Sequence, residues 1–178
     1  MSLGGLEVAS EIATQAAQDA DRILSTFWSK DLPEAPLPVD PIRIAQSLGI
    51  RVYEDKLPDG VSAAIVNNPG SGATIVLSRD DATNRKRFSC AHEIGHFVRH
   101  TNELDPIGYS YVDFRNQEAS TGDKEEEVYA NTFAASLLMP APLIQKLKSE
   151  GLKPAEMIAK FGVSSIALAN RFNYLGLN

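Results

Sequence analysis

Residues 88–100 read Phe-Ser-Cys-Ala-His-Glu-Ile-Gly-His-Phe-Val-Arg-His and contain all three histidines of the 178-residue chain. The histidines fall at i, i+4 and i+8, with Phe88, Ala91, Ile94, Gly95 and Val98 at helical spacing among them. This pattern predicts a helix buried along one side, which obliges the rest of the chain to build a surface against it. Side chains four apart on a helix stand one above the other, so His92 and His96 can offer ring nitrogens to a single ion. Glu93 then projects beside the ion, not onto it. Two imidazoles with that carboxylate form the H-E-x-x-H arrangement, read as two zinc ligands and a general base, Glu93. The plainer reading, unrelated histidines on an ordinary helix, is weakened by the apolar stripe that holds the same segment in a core.

His100 lies roughly 12 Å along the axis from His92 at about 1.5 Å per residue, too far to share an ion. The glycine that would turn the chain after His96 is also missing, so His100 is expected to serve the helix C-terminus. A third ligand must come from elsewhere, because a catalytic zinc site uses three protein ligands and keeps one position open. The single cysteine excludes a thiolate cluster. Carboxylates are richest in residues 123–140, where Ala130, Phe133, Ala134, Leu137 and Leu138 make one apolar helical face. Glu125 falls opposite that face and is expected in solvent, whereas Glu126 and Glu127 fall on its two edges and periodicity leaves them tied. The edge carrying Ala130, Asn131 and Ala134 is small enough for close approach to the histidine helix, which favours Glu127. Asn131, one turn on, is placed to hydrogen-bond the far nitrogen of a ligating imidazole. The remaining acids suit the positive helix N-terminus, with Asp123 as the expected N-cap.

The residues Arg85-Lys-Arg-Phe-Ser-Cys-Ala-His-Glu-Ile-Gly-His96 and Glu127-Val-Tyr-Ala-Asn-Thr-Phe-Ala-Ala-Ser-Leu-Leu-Met-Pro140 resemble the ImmA/IrrE family of zinc metallopeptidases. The resemblance extends more loosely from about residue 41 to the C-terminus, and Cys90 departs from the threonine-containing pair usual there. It implies an α+β, zincin-like metallopeptidase fold with a small antiparallel sheet, the H-E-x-x-H helix and a C-terminal helical tail. It implies His92, His96 and Glu127 as Zn2+ ligands and Glu93 as the base. It also implies a protein substrate such as a helix-turn-helix transcriptional repressor.

Composition narrows the classes further. With 43% hydrophobic residues the chain can bury a core, and no run of 18 apolar residues exists to cross a membrane. The first residues lack the basic and apolar segments of a secretion signal, and a lone cysteine suits a reducing compartment, so a cytoplasmic protein is expected. A net charge of −6 argues against broad nucleic-acid binding, which depends on lysine and arginine neutralising phosphates.

In order, residues 1–39 are expected to form an N-terminal helix (6–28), weakly docked in its Ala-, Gln- and Asp-rich middle, and an extended proline-rich connector (31–38). Residues 40–142 are expected to form the catalytic core, opening with a helix (41–48) capped by Asp40 and stopped by Gly49, then a strand (50–53). Segments 60–66 and 73–78 predict a hairpin, structural on the sequence alone; the resemblance to zincins implies that one of its strands edges the metal cleft and takes an extended peptide. Asp80 or Asp81 is expected to cap the histidine helix. Residues 101–115 read as an irregular rim over the cleft, where Tyr109 or Tyr111 could hydrogen-bond an oxyanion but ordinary packing is expected of both. Residues 143–178 predict three short helices packed on the same domain, the last two a helix-turn-helix with Gly162 at the turn and Ser164 as cap. Arg171 is the single cation on the would-be recognition helix, so packing is expected there and not DNA contact. Beside the zinc endopeptidase stands a rival from another class: a metal-bound antirepressor or toxin-antitoxin partner that acts by binding alone.

Overall fold

A computed structural model describes residues 3–68, 70, 72–102, 109–114 and 124–177, with side chains left undescribed at 3–7, 68, 102 and 109–114. Helix α1 (Leu3–Phe27) is followed by a single 3-10 turn, Leu32–Glu34, inside the stretch expected to be wholly extended. Helix α2 (Pro41–Ser47) starts as its sequence dictates, with the Asp40 carboxylate accepting from the amides of Ile42 at 3.0 Å and Arg43 at 3.2 Å. Strands β1 (Arg51–Asp55), β2 (Val61–Asn68) and β3 (Gly72–Ser78) lead into the histidine helix, α3 (Thr83–Asn102). Asp81 lies two residues before the first residue of α3. The Lys86 amide bonds to the carbonyl of Ala82, the residue just before the helix, while Asp81 closes the preceding turn onto Ser78.

A fourth strand, β4 (Tyr109–Phe114), occupies part of the stretch expected to be irregular. The sheet order is β1-β3-β2-β4, with β2 antiparallel to β3 and β4 and β1 parallel to β3. The fold is α+β as expected, with a sheet antiparallel over three strands and parallel at the fourth. Both hairpin strands lie inside the sheet, so among the described residues the edges are β1 and β4. The hairpin therefore cannot provide the free edge expected of it.

Helix α4 (Lys124–Leu138) packs across α3 on the side away from the sheet, and α1 packs along α4. This sandwiching leaves residues 89–96 buried without interruption. The middle of α1 docks firmly, contrary to expectation: Ala16, Ala20 and Leu24 are fully buried. Alanines there let two helices approach closely, so low bulk marks an interface and not a weak one. The Asp123 cap lies outside the described residues. The tail forms α5 (Ala141–Ser149), α6 (Pro154–Phe161) and α7 (Ser165–Leu175). Gly162 ends α6 at a positive φ of 63°, and Ser164 Oγ accepts from the Ala167 amide at 3.1 Å. Arg87 on α3 donates to the carbonyls of Val39 (2.8 Å), Phe161 (3.1 Å) and Gly162 (3.2 Å), tying α3 to the tail.

Candidate metal centre

The site is set by how closely α3 and α4 cross. At the crossing stands Gly95, where an added Cβ would lie 3.0 Å from the Ala130 Cα and 3.3 Å from the Phe133 Cβ. Glycine on one helix and alanine on the other bring the backbones near enough for a carboxylate on α4 to reach imidazoles on α3. The Nε2 atoms of His92 and His96 are 3.1 Å apart, and the rings meet edge to face with centroids 4.8 Å apart. Glu127 lies opposite, with one carboxylate oxygen 3.6 Å from His92 Nε2 and the other 3.7 Å from His96 Nε2. One donor atom from each of the three lies within 4.8 Å of the others, a grouping identified among the described residues.

These separations test whether the residues fit a zinc ion. Bonds of about 2.0–2.1 Å in a tetrahedron put ligand atoms roughly 3.3 Å apart; the imidazole nitrogens, 3.1 Å apart, are close to that spacing, and each is met by a different Glu127 oxygen at 3.6 and 3.7 Å. The donor set, two imidazoles and a carboxylate, is also one zinc accepts. His92 and His96 are almost wholly buried, while Glu127 retains 27% exposure, so the cluster opens to solvent on the α4 side. Glu93, the residue after His92, has no exposed surface. Asn131 lies one turn past Glu127 and is half-buried.

Glu125 is exposed, but Glu126 is drawn inward, with Arg99 Nε 2.9 Å from one carboxylate oxygen. The other oxygen is 3.6 Å from both His96 Nδ1 and His100 Nε2. Burial pushes the Glu126 carboxyl up, yet His96, Arg99 and His100 outweigh it and hold the group below the ordinary glutamate value. His100 thus faces Glu126 from the last turns of α3. The signal that could have revealed this was the spacing of Arg99 and His100, three and four residues beyond His96 and hence on its face of the helix. Cys90 is fully buried, and burial pushes its thiol far up, leaving it inert. The side chains of Tyr109 and Tyr111 lie outside what is described.

Residues 45–173 match the model of a peptidase family described as the IrrE N-terminal-like domain. The chain belongs to that family, as its two motifs led one to expect. Among solved structures it is similar to a Mycobacterium tuberculosis transcriptional regulator, with a TM-score of 0.55 and 14% sequence identity. The similarity covers 93% of this chain and 51% of the regulator, so the chain spans about half that protein's length. At that identity the likeness speaks for the fold alone. No curated protein matches the sequence.

Proposed function

We propose that the chain is a zinc-dependent endopeptidase whose ligands are His92, His96 and Glu127 and whose general base is Glu93. The observation that carries this reading is the convergence of one donor atom from each of His92, His96 and Glu127 to within 4.8 Å of the others, and the H-E-x-x-H motif supports Glu93 as the base. Membership of a peptidase family supports it. A bound zinc supplies Lewis acidity, lowering the pKa of a coordinated water and polarising a carbonyl. The chain's own residues do the rest. The buried imidazoles are held one turn apart by α3, so ligand geometry is fixed before metal arrives. Glu93 accepts a proton from the attacking water and delivers it to the departing amine. Asn131 supports an imidazole from α4. The half-open side at Glu127 leaves room for a substrate.

An extended peptide is best received by the outer edge of β4, which among the described residues is paired on its inner side alone, by β2. A protein substrate of the helix-turn-helix repressor class follows from the family resemblance, and a single cysteine suits action in the cytoplasm. The test is incubation of zinc-loaded protein with such a repressor. Chelator-sensitive fragments should appear with wild type, whereas Glu93→Gln should bind zinc equally and cut nothing. Undiminished cleavage by Glu93→Gln would remove that residue as the base. Stable repressor binding without fragments would assign the chain to partner binding instead.

A further inference from the structure

Glu126 is the most heavily engaged acid near the site that the proposed reaction leaves without a task. One of its oxygens pairs with Arg99, and the other stands 3.6 Å from the nitrogen of His96 that faces away from His92 and Glu127. Arg99 is itself fixed on two further sides. Its Nη1 donates to the Glu125 carbonyl at 2.9 Å, and its guanidinium lies 5.3 Å from the centre of the Tyr129 ring. The Tyr129 hydroxyl donates to Asp19 on α1 at 2.6 Å, so the clamp is anchored through to the N-terminal helix.

We propose that Glu126, held by Arg99, is a positioning residue for His96: it accepts the Nδ1 proton and thereby keeps the Nε2 lone pair aimed at His92 and Glu127. This rests on reading His92, His96 and Glu127 as metal ligands. A neutral imidazole carries one N–H, and the nitrogen that binds metal must be bare, so the proton has to sit on Nδ1. A negatively charged acceptor on that side selects this tautomer and raises the basicity of the ligating nitrogen. The present separation is a few tenths of an ångström beyond hydrogen-bond length. Glu126 is not a fourth ligand in this arrangement, because its oxygen lies on the Nδ1 side of the ring. His100 gains a purpose too, approaching the same oxygen from the next turn of α3.

The experiment uses the full chain, labelled with 15N and stripped of metal, at mildly alkaline pH where imidazoles are neutral. Ring correlations between carbon-bound protons and both nitrogens report the His96 tautomer, a readout that general loosening of the helix does not set. The Nδ1–H form is expected in wild type, with a mixture of forms in Glu126→Ala. Glu126→Gln, near in volume and still offering an acceptor oxygen, should lie between and guards against loss of folding. Cobalt titration of the same proteins should show affinity about 10–100-fold weaker in Glu126→Ala and abolished in Glu127→Ala. An unchanged His96 tautomer with unchanged cobalt affinity in Glu126→Ala would overturn the proposal. So would complete loss of cobalt with the tautomer intact, which would make Glu126 a ligand. If wild type takes up no cobalt, or Glu127→Ala binds it normally, the metal-site reading fails, and the tautomer comparison still decides for or against Glu126.

Discussion

Glu126 and Glu127 are adjacent in sequence and face opposite nitrogens of one imidazole, 3.6 Å from His96 Nδ1 and 3.7 Å from Nε2. Helical periodicity placed them on the two edges of one face, which was correct. It could not rank them, because the groups that separate their environments, Arg99 and His100, sit on another helix. A carboxyl held low in the folded state contributes stability that is present above its unfolded pKa and is lost as pH falls through the folded value. Metal-free Glu126→Gln should therefore be less stable than wild type at neutral pH, with the gap closing below the ordinary carboxylate range. Denaturant unfolding across that range checks this, and a gap that stays constant into acid would contradict it. Gly95 is the other residue on which the site turns. Gly95→Ala forces a methyl to 3.0 Å from the Ala130 backbone, which cannot yield as a side-chain end would. Overpacking of this kind costs typically about 1–3 kcal/mol, and it should weaken metal binding by moving Glu127 away from the imidazoles. Unchanged zinc affinity with unchanged stability would show that the helices have slack.

At the level of elements, strong periodic signals were legible and edges of meaning were not. The α3, α4 and hairpin segments stood out from residue spacing, and so did the three tail helices with their Gly162 and Ser164 punctuation. β4 was missed although Tyr-Ser-Tyr-Val-Asp-Phe is rich in aromatic and β-branched residues, because it does not alternate and turn-forming neighbours made the whole stretch look irregular. Its pairing with β2 takes the hairpin off the sheet edge, a fact of topology that no local pattern carries. The underestimate of α1 has a similar origin. Its polar middle contains Asp19, which is 2% exposed and meets Tyr129 of α4, Arg22 at 2.8 Å and Gln15 at 3.2 Å. Removing the phenol hydroxyl takes a donor from a buried carboxylate, which costs on the order of 1–3 kcal/mol. Tyr129→Phe should lower the unfolding midpoint in denaturant accordingly, and a midpoint within error of wild type would mean α1 is held by apolar packing alone.

Over the whole molecule, one core runs from Ala16 and Leu24 on α1 through α3 and α4 to Leu168 on α7. The tail contributes to that core and does not offer a nucleic-acid face through Arg171. That side chain is 3% exposed, donates to the Met139 carbonyl at 3.1 Å and lies over the Tyr174 ring. Arg171→Ala is expected to reduce stability and leave any weak association with duplex DNA unaltered at low salt. Among the described residues no helix is long and apolar enough to cross a membrane. The chemistry proposed here comes down to one ion held between α3 and α4, and metal content is its most direct measure. Purified wild type, dialysed against zinc and then against buffer, should retain it stoichiometrically, while Glu127→Ala of equal helicity should retain none. Zinc held equally by both proteins, or by neither, would contradict the account.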